Sequence, residues 1–501
     1  MNHTDRKVKS KVSIKKAVRR RKLRKMGIGL VILQVIAACV FMWILGSLKV
    51  IPMEYLYIAG GLLFLISAYN MAAQFTRHPV MGRIMAGLLA LVLTIGSVYA
   101  VKTNDMLATV TGVNTVTEQV SFLVRANDKA SQLSDTDGYA YGCNEKDQAD
   151  MTKAAVDYAQ KQTGREIDCK QYDNVSALIH ALDKKDTDVI LFPESMRPTI
   201  EEQDTEFSTK TKVIDTFEYK YQLTIKGDGK DLSKTPFTVY ISGNDDYGKL
   251  TDTGRSDVNI IATFNPKTRQ VLLVSTPRDY WIEVDSTTGQ KGYEKLTHAG
   301  NYGIHSSMET LSQLYGINID YYLKVNFDGA VGVIDALKGI TIQSDVDFTN
   351  GADAAPVSYH FTIGENECDG AKALVFCRER HTFSDGDNQR GKNQMQAMKA
   401  IISKATSPSI LSNYSGILNA VTQLIATDIP QDSLASLVRS QLSDHTEWNV
   451  SSYSATGTGA TRTGELFGLK GMSVMIPDQT SVDRAKELMQ QVRDGQTITL
   501  D

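Results

Sequence analysis

Two neighbouring segments, Arg378-Glu379-Arg380-His381 and Asp387-Asn388-Gln389-Arg390-Gly391-Lys392-Asn393-Gln394, place three arginines within thirteen residues. Arg378 and Arg380 are two apart, so on an extended strand both guanidinium groups would face the same way. Arg390 and Gln394 are four apart, one turn along a single helix face. Convergent arginines suit a phosphate or pyrophosphate, whose oxygens the planar guanidinium fork meets two at a time.

Three upstream segments carry further candidate chemistry. Ser242-Gly-Asn-Asp-Asp-Tyr-Gly248 ends a strand-like run with Asp245 and Asp246, and Gly254-Arg255-Ser256-Asp257 leads into the next run. Carboxylates at two strand ends can share a hard cation, since Mg²⁺ takes one or two carboxylates plus phosphate oxygens. Taken alone, these clusters also read as ordinary turns. In Ser275-Thr-Pro-Arg278-Asp279, Pro277 ends a strand and Arg278 projects from its rigid terminus, where α/β sheets commonly hold catalytic groups. A surface Arg278–Asp279 salt bridge is the plain alternative. Lys295-Leu-Thr-His298-Ala-Gly-Asn301 precedes a helix and could offer a cation and amides to an anion. A structural cap fits it equally well, and His298 could be a base or a core hydrogen-bonder.

The elements that must position these groups alternate. Strand-like runs are Phe237–Ser242, Asn259–Phe264, Gln270–Ser275, Tyr321–Asn326 and Glu447–Tyr453. Helical patterns cover Tyr302–Tyr315, Gly329–Leu337, Gly370–Phe376, Asn388–Ala405, Ile410–Ala426, Gln431–Leu442 and Ser481–Val492. The alternation predicts an α/β domain, αβα layered around a central mixed sheet, over residues 213–501. Residues 103–212 read as a small α/β accessory domain, with helices at Asp150–Thr163 and Asn174–Lys184 and a strand at Asp188–Phe192. It carries no catalytic motif and suits a spacer or docking role.

Ahead of both, residues 1–26 form a basic tail, with twelve Lys/Arg and one acid before residue 26. Three apolar segments follow within residues 27–102, roughly Gly27–Leu48, Tyr55–Phe75 and Val80–Val101. Each is about 20 residues, the length that crosses a hydrocarbon core. The basic tail holds the N-terminus in the cytoplasm, and Arg77, His78 and Arg83 mark the second link as inside. Three spans then leave everything after about residue 102 outside the plasma membrane. That portion carries a net charge of −17. A strongly acidic ectodomain is a poor nucleic-acid binder, so no nucleic acid is expected as partner. Anionic lipid headgroups are the partners expected for the tail. Sequence proximity favours disulfides Cys143–Cys169 and Cys368–Cys377 in this oxidising compartment, with four buried thiols as the alternative. No Cys/His spacing suggests zinc.

In this order the segments resemble the LytR–CpsA–Psr family, and closely its capsule-type members. The matching residues are the Asp245 turn, Gly254-Arg255-Ser256-Asp257, Thr276-Pro277-Arg278-Asp279, Lys295-Leu296-Thr297-His298-Ala299, Ala373-Leu374 leading to Arg378-Glu379-Arg380, and Asp387 through Gln394. They span about residues 237–405, and a weaker Ile476-Pro477-Asp478 ending extends the match to about 494. The resemblance implies a membrane-anchored phosphotransferase. It would move a capsular polysaccharide or teichoic-acid-like glycopolymer from a polyprenyl-pyrophosphate carrier to peptidoglycan, with the capsule export machinery as a further partner. It implies Mg²⁺, with Mn²⁺ as a substitute, at Asp245 and Asp257. It also implies that Arg255, Arg278, Arg378, Arg380 and Arg390 grip the pyrophosphate, with Gln394 and Lys295 beside them. Arg278 and Asp387 are the catalytic candidates, Asp387 as base or orienting group. A pyrophosphate hydrolase, a non-catalytic scaffold of capsule export and a transcriptional regulator are the alternatives.

Overall fold

The computed structural model describes residues 3–49, 51–76, 79–110, 115–144, 149–222, 230–244, 253–286, 289–384, 386–407, 424–444 and 446–500. The helix expected at Ile410–Ala426 lies largely outside them, as do Asp245, Asp246, Arg77 and His78.

The chain divides into two compact units. The first contains α1 (His3–Ser47), α2 (Met53–Ala73) and α3 (Pro79–Val110). Val18–Ser47, Met53–Ala73 and Pro79–Lys102 are each long and apolar enough to cross a membrane. The basic tail runs into the first span as one continuous helix. Polar side chains tie the three helices together, as interhelical hydrogen bonds do inside bilayers. Gln34 Nε2 donates to Ser67 Oγ (2.9 Å), Asn70 Nδ2 donates to Gln34 Oε1 (2.8 Å), and Arg83 Nε donates to Gln74 Oε1 (3.1 Å). The helix Gln431–Asp444 groups with this unit, through an ion pair of Asp432 with Lys49 at 2.7 Å.

The second unit begins with β1 (Thr115–Arg125), β2 (Tyr141–Cys143), α4 (Ala149–Thr163), β3 (Cys169–Gln171), α5 (Val175–Lys184), β4 (Val189–Pro193), α6 (Arg197–Gln203), α7 (Phe207–Lys210) and β5 (Thr211–Gln222). The five strands form one sheet in the order β3-β2-β4-β1-β5. Alternation along β1 splits its side chains between two cores. Val120, Phe122 and Val124 pack with α4, while Leu123 faces α5 and the following domain. Asn174 caps α5 by accepting from Ala177 N, which satisfies an otherwise orphaned amide. A Cys143–Cys169 disulfide staples β2 to β3.

The remainder builds β6 (Phe237–Gly243), β7 (Val258–Asn265), β8 (Gln270–Ser275), β9 (Trp281–Asp285), β10 (Lys291–Lys295), α8 (Leu296–Ala299), α9 (Ile304–Tyr315), β11 (Tyr321–Val325), α10 (Phe327–Ala336), β12 (Ile340–Ser344), α11 (Gly370–Arg378) and α12 (Asp387–Thr406). Strands β11, β6, β7 and β8 form the centre of a six-stranded sheet. It is mixed: β11 runs parallel to β6, whereas β7 is antiparallel to both its neighbours. Period-two alternation again assigns the two faces. Tyr240, Ile261, Leu272 and Val274 pack under α9 and the C-terminal helix Gln479–Arg493. Ile241, Ile260 and Val325 face the other way, towards α10, α11 and α12. The fold is therefore α/β, with helices on both faces of a mixed sheet.

The two parts of this unit share a hydrophobic core. Phe192, Met196 and Ile200 pack in one cluster with Ala299, Tyr302 and Phe467. Buried Glu118 of β1 accepts hydrogen bonds from Thr253 Oγ1 and from Ser195 N.

The pairing expected for Cys368 and Cys377 is not formed, and both are free thiols. Cys368 ends the strand Gly364–Cys368, and Cys377 lies seven residues into α11. Two helical turns advance the chain by about 10 Å, beyond the Cα separation a disulfide tolerates. Both thiols are instead part of the core beneath α11. Burial pushes Cys368 up to about 11 and Cys377 up to about 12.

Candidate active site

Tight backbone contacts fix the turn before β7. Gly254 N donates to Gly300 O (3.0 Å), Ser256 N to Thr297 O (3.1 Å), and Asp257 N to Gly243 O (2.8 Å). A Cβ on Gly300 would lie 2.4 Å from Gly254 O, so no other residue allows this approach. Ser256 Oγ also bonds Tyr240 OH and Ser242 Oγ in the core. Arg255 and Asp257, on either side of Ser256, are held as a rigid pair.

Beyond β8, Thr276 N donates to Asn259 O (2.8 Å) and Thr297 N to Arg278 O (2.9 Å). Arg278 projects from this strand end, as expected, and ion-pairs with Asp257 as well as lying 4.0 Å from Asp279, with its side chain 17% exposed. The Asp257 side chain is 10% exposed. Burial alone would raise its pKa, but the guanidiniums of Arg278, Arg255 and Arg390 outweigh burial and hold the carboxyl below its ordinary range. Asp257 Oδ2 is buried and has no hydrogen-bond partner among the described residues, and Asp257 lines the cavity. An oxygen in that state fits a hard cation. Among the described residues no three His, Cys, Asp or Glu side chains gather as a metal cluster, and Asp245 lies outside them.

The opposite wall comes from α11 and α12. Arg378 is the last residue of α11, not part of a strand, because the Ala373-Leu-Val-Phe-Cys-Arg run continues the helix. Its guanidinium carbon lies 4.7 Å from the Phe327 ring centroid, a cation–π contact. Glu379 then turns extended and inward, accepting from Gly351 N (2.6 Å) and Thr382 N (3.0 Å). Burial opposes its ionisation, but these amides with those of Arg380 and His381 hold its pKa below the usual carboxylate value. With Glu379 anchored, Arg378 and Arg380 on either side both reach the cavity. Arg390 and Gln394 line it from one face of α12, as their spacing predicts. Asp387 opens α12, and its side chain is not among those described.

The cavity so formed has a volume of about 520 Å³, a size that suits a ligand-binding cleft. Its polar end gathers Arg255, Asp257, Arg278, Arg378, Arg380 and Arg390. Its other end is apolar, between Ile241, Ile260 and Val325 of the sheet and Ala330, Leu374 and Ile401 of the helices. Lys295 is the expected site residue the structure leaves outside the lining. It is 6% exposed and sits behind the cavity, 3.3 Å from Asp279 and 3.6 Å from Glu202. His298 is likewise buried, against Glu294 (2.9 Å) and the Phe467 ring. Sequence reasoning did not find Asn244, Asn326, Phe327 or Glu202, all of which line the cavity. Asn244 and Asn326 follow strands whose partners were legible, so adjacency to a strand end was the available signal. Glu202 has no such signal, because it comes from α6.

Residues 195–491, more than half of the chain, match the LytR_cpsA_psr family, and the protein belongs to it. The polyisoprenyl-teichoic acid–peptidoglycan teichoic acid transferase TagU of Bacillus mycoides (strain KBAB4) is 31% identical over 234 residues, 46% of this chain and 73% of that protein. TagU of Enterococcus faecalis (strain ATCC 700802 / V583) is 34% identical over 205 residues, 40% of this chain and 64% of that protein. The crystal structure of B. subtilis TagV is 27% identical, with a TM-score of 0.43 over 53% of this chain and 99% of that one.

Proposed function

We propose that the protein is a membrane-anchored phosphotransferase that moves a glycopolymer from a polyprenyl-pyrophosphate carrier to peptidoglycan, and that the polymer is a capsular polysaccharide or a teichoic-acid-like glycan. The observation that carries this reading is the two-ended cavity, with arginines at one end and an apolar channel at the other. A polyprenyl pyrophosphate has the same two-ended character. The TagU relatives, named as teichoic acid transferases to peptidoglycan, support the class of reaction.

In the mechanism we infer, Arg255, Arg278, Arg378, Arg380 and Arg390 bind the pyrophosphate oxygens and neutralise charge as it spreads in the transition state. The apolar faces of α10 and α12 take the first isoprene units and exclude water from the leaving side. A peptidoglycan hydroxyl attacks the sugar-linked phosphorus. The phosphoanhydride bond breaks, and the lipid monophosphate leaves with the electron pair. Asp387, at the start of α12, takes the hydroxyl proton or orients that hydroxyl. Asp257 with Asp245 would hold Mg²⁺ or Mn²⁺, which supplies Lewis-acid charge neutralisation when bound. The basic tail lies in the cytoplasm and the residues after α3 lie outside the membrane, where peptidoglycan is.

The test is reconstitution of the full chain in liposomes with radiolabelled lipid-pyrophosphate glycan, peptidoglycan and Mg²⁺. Label covalently attached to peptidoglycan is the expected result. Free phosphorylated glycan would instead identify a hydrolase, and neither product would point to a scaffold.

A further inference from the structure

One helix ahead of the central sheet, α6, has no role in the phosphotransfer chemistry, yet it reaches the cavity. It carries Glu202, which lines the cavity and meets Arg255 NH1 at 2.8 Å through Oε2. Oε1 of the same carboxylate lies 3.6 Å from Lys295 Nζ. Arg255 is 15% exposed and Lys295 is 6% exposed, so both cations are largely withdrawn from water. Glu202 stands between the two cations and contributes countercharge to both, beside Asp279 at 3.3 Å from Lys295.

The Glu202 side chain is 39% exposed, but the helix that carries it is fixed in place. Ile200, two residues before Glu202, is buried in the core shared with Ala299 and Phe467. Thr199 Oγ1 accepts a hydrogen bond from buried Asn301 Nδ2 at 2.9 Å. The helix is thus seated on the segment that follows Lys295, and Lys295 pins the carboxylate from behind. Burial would raise the pKa of Glu202, but Lys295 and Arg255 reverse the effect and keep it ionised. A carboxylate held this way is a poor proton acceptor and a good anchor.

We propose that Glu202 is a positioning residue that aims Arg255 at the phosphate-binding end of the cavity, so that α6 completes the site. The proposal rests on the phosphotransfer reading for its kinetic consequence and on geometry alone for the Arg255 contact. Removing the carboxylate adds net positive charge to the cavity, which by itself favours a pyrophosphate. Loss of aim acts on the transition state instead.

Two readouts on the full chain test it. Phenylglyoxal labelling of Arg255, read by mass spectrometry without substrate, rises severalfold in Glu202→Ala and stays near wild type in Glu202→Gln, which keeps an acceptor for the guanidinium. In the transfer assay, Glu202→Ala lowers kcat about tenfold with KM for the lipid substrate unchanged or lower, and Glu202→Gln recovers most of kcat. Unchanged Arg255 labelling in Glu202→Ala overturns the proposal. So does a wild-type kcat in that variant, or a loss shared by Glu202→Gln and matched by a fall in Tm. A wild-type protein that transfers no glycan overturns the proposed function, while the labelling still decides whether Glu202 holds Arg255.

Discussion

The Arg278 guanidinium ion-pairs with Asp257 across the ends of two adjacent strands, and the second oxygen of that carboxylate has no hydrogen-bond partner among the described residues. One oxygen is thus committed to the cation clamp and the other is buried in the cavity wall. Arg278→Ala leaves a mostly buried carboxylate without its nearest countercharge. Loss of about 3 kcal/mol of stability is expected, with loss of at least about 100-fold in transfer. Because the folded pKa of Asp257 is lowered, its contribution to stability is full above the unfolded carboxylate pKa of about 4 and is lost as pH falls through the lower folded value. In Arg278→Ala that acid limb moves to higher pH, which urea melts between pH 3 and 6 (about the carboxylate range) would show.

Gly300→Ala places a methyl against Gly254 O at 2.4 Å. The turn carrying Arg255 and Asp257 must shift, although neither residue is changed. A fall of about 1–3 kcal/mol in stability is expected, together with a larger fractional loss of transfer than Gly459→Ala, whose added methyl meets nothing within 4 Å. Thermal melts run beside the transfer assay check both.

Ala330→Phe projects a ring from α10 into the cavity, one helical turn beyond the Phe327 ring that Arg378 covers. KM for a long-chain lipid substrate should rise about tenfold, equivalent to about 1.4 kcal/mol. Affinity for inorganic pyrophosphate should not change. Equal losses for both ligands would mean that the apolar end does not hold the lipid.

Buried Asp428 accepts from Tyr322 N at 2.7 Å. Burial pushes its carboxyl up to about 6, against the pull of the Tyr322 and Asp428 amides. The folded chain therefore binds this proton more tightly than the unfolded chain. Its contribution is full below about pH 4 and is lost as pH rises towards about 6. Asp428→Asn keeps the acceptor and removes the charge. It should gain about 3 kcal/mol at pH 7 and flatten the stability profile between those values.

Strong periodicity made much of this fold legible. The strand Gln270–Ser275 and the helix over Asp387–Thr406 have near-continuous patterns, and their expected bounds fall within a residue or so of those observed. Arg390 and Gln394 follow directly from that helix, since one residue spacing fixes their shared face. Arg378 was misplaced on a strand because two arginines flanking a glutamate fit either period. The helix wins because Asp369 caps it, accepting from Lys372 N, and its apolar side packs beneath α12. Strands β1 and β5 escaped the sequence reading. β5 lies at a sheet edge, where charged residues alternate with apolar ones and blur the signal. Glu202 was illegible for a different reason. Its partners, Arg255 and Lys295, lie 53 and 93 residues away, and only the packing of α6 on the segment that follows β10 brings them together.

The most direct test of the two-ended cavity is photo-crosslinking of the full chain, in membranes, with a polyprenyl pyrophosphate carrying a diazirine on its first isoprene units. Crosslinks are predicted on α10 and α12 around Ala330 and Ile401, competed by excess unlabelled lipid pyrophosphate and lost in the Arg378→Ala Arg390→Ala protein. Crosslinks confined to α1–α3, or unaffected by removal of both arginines, would contradict the account.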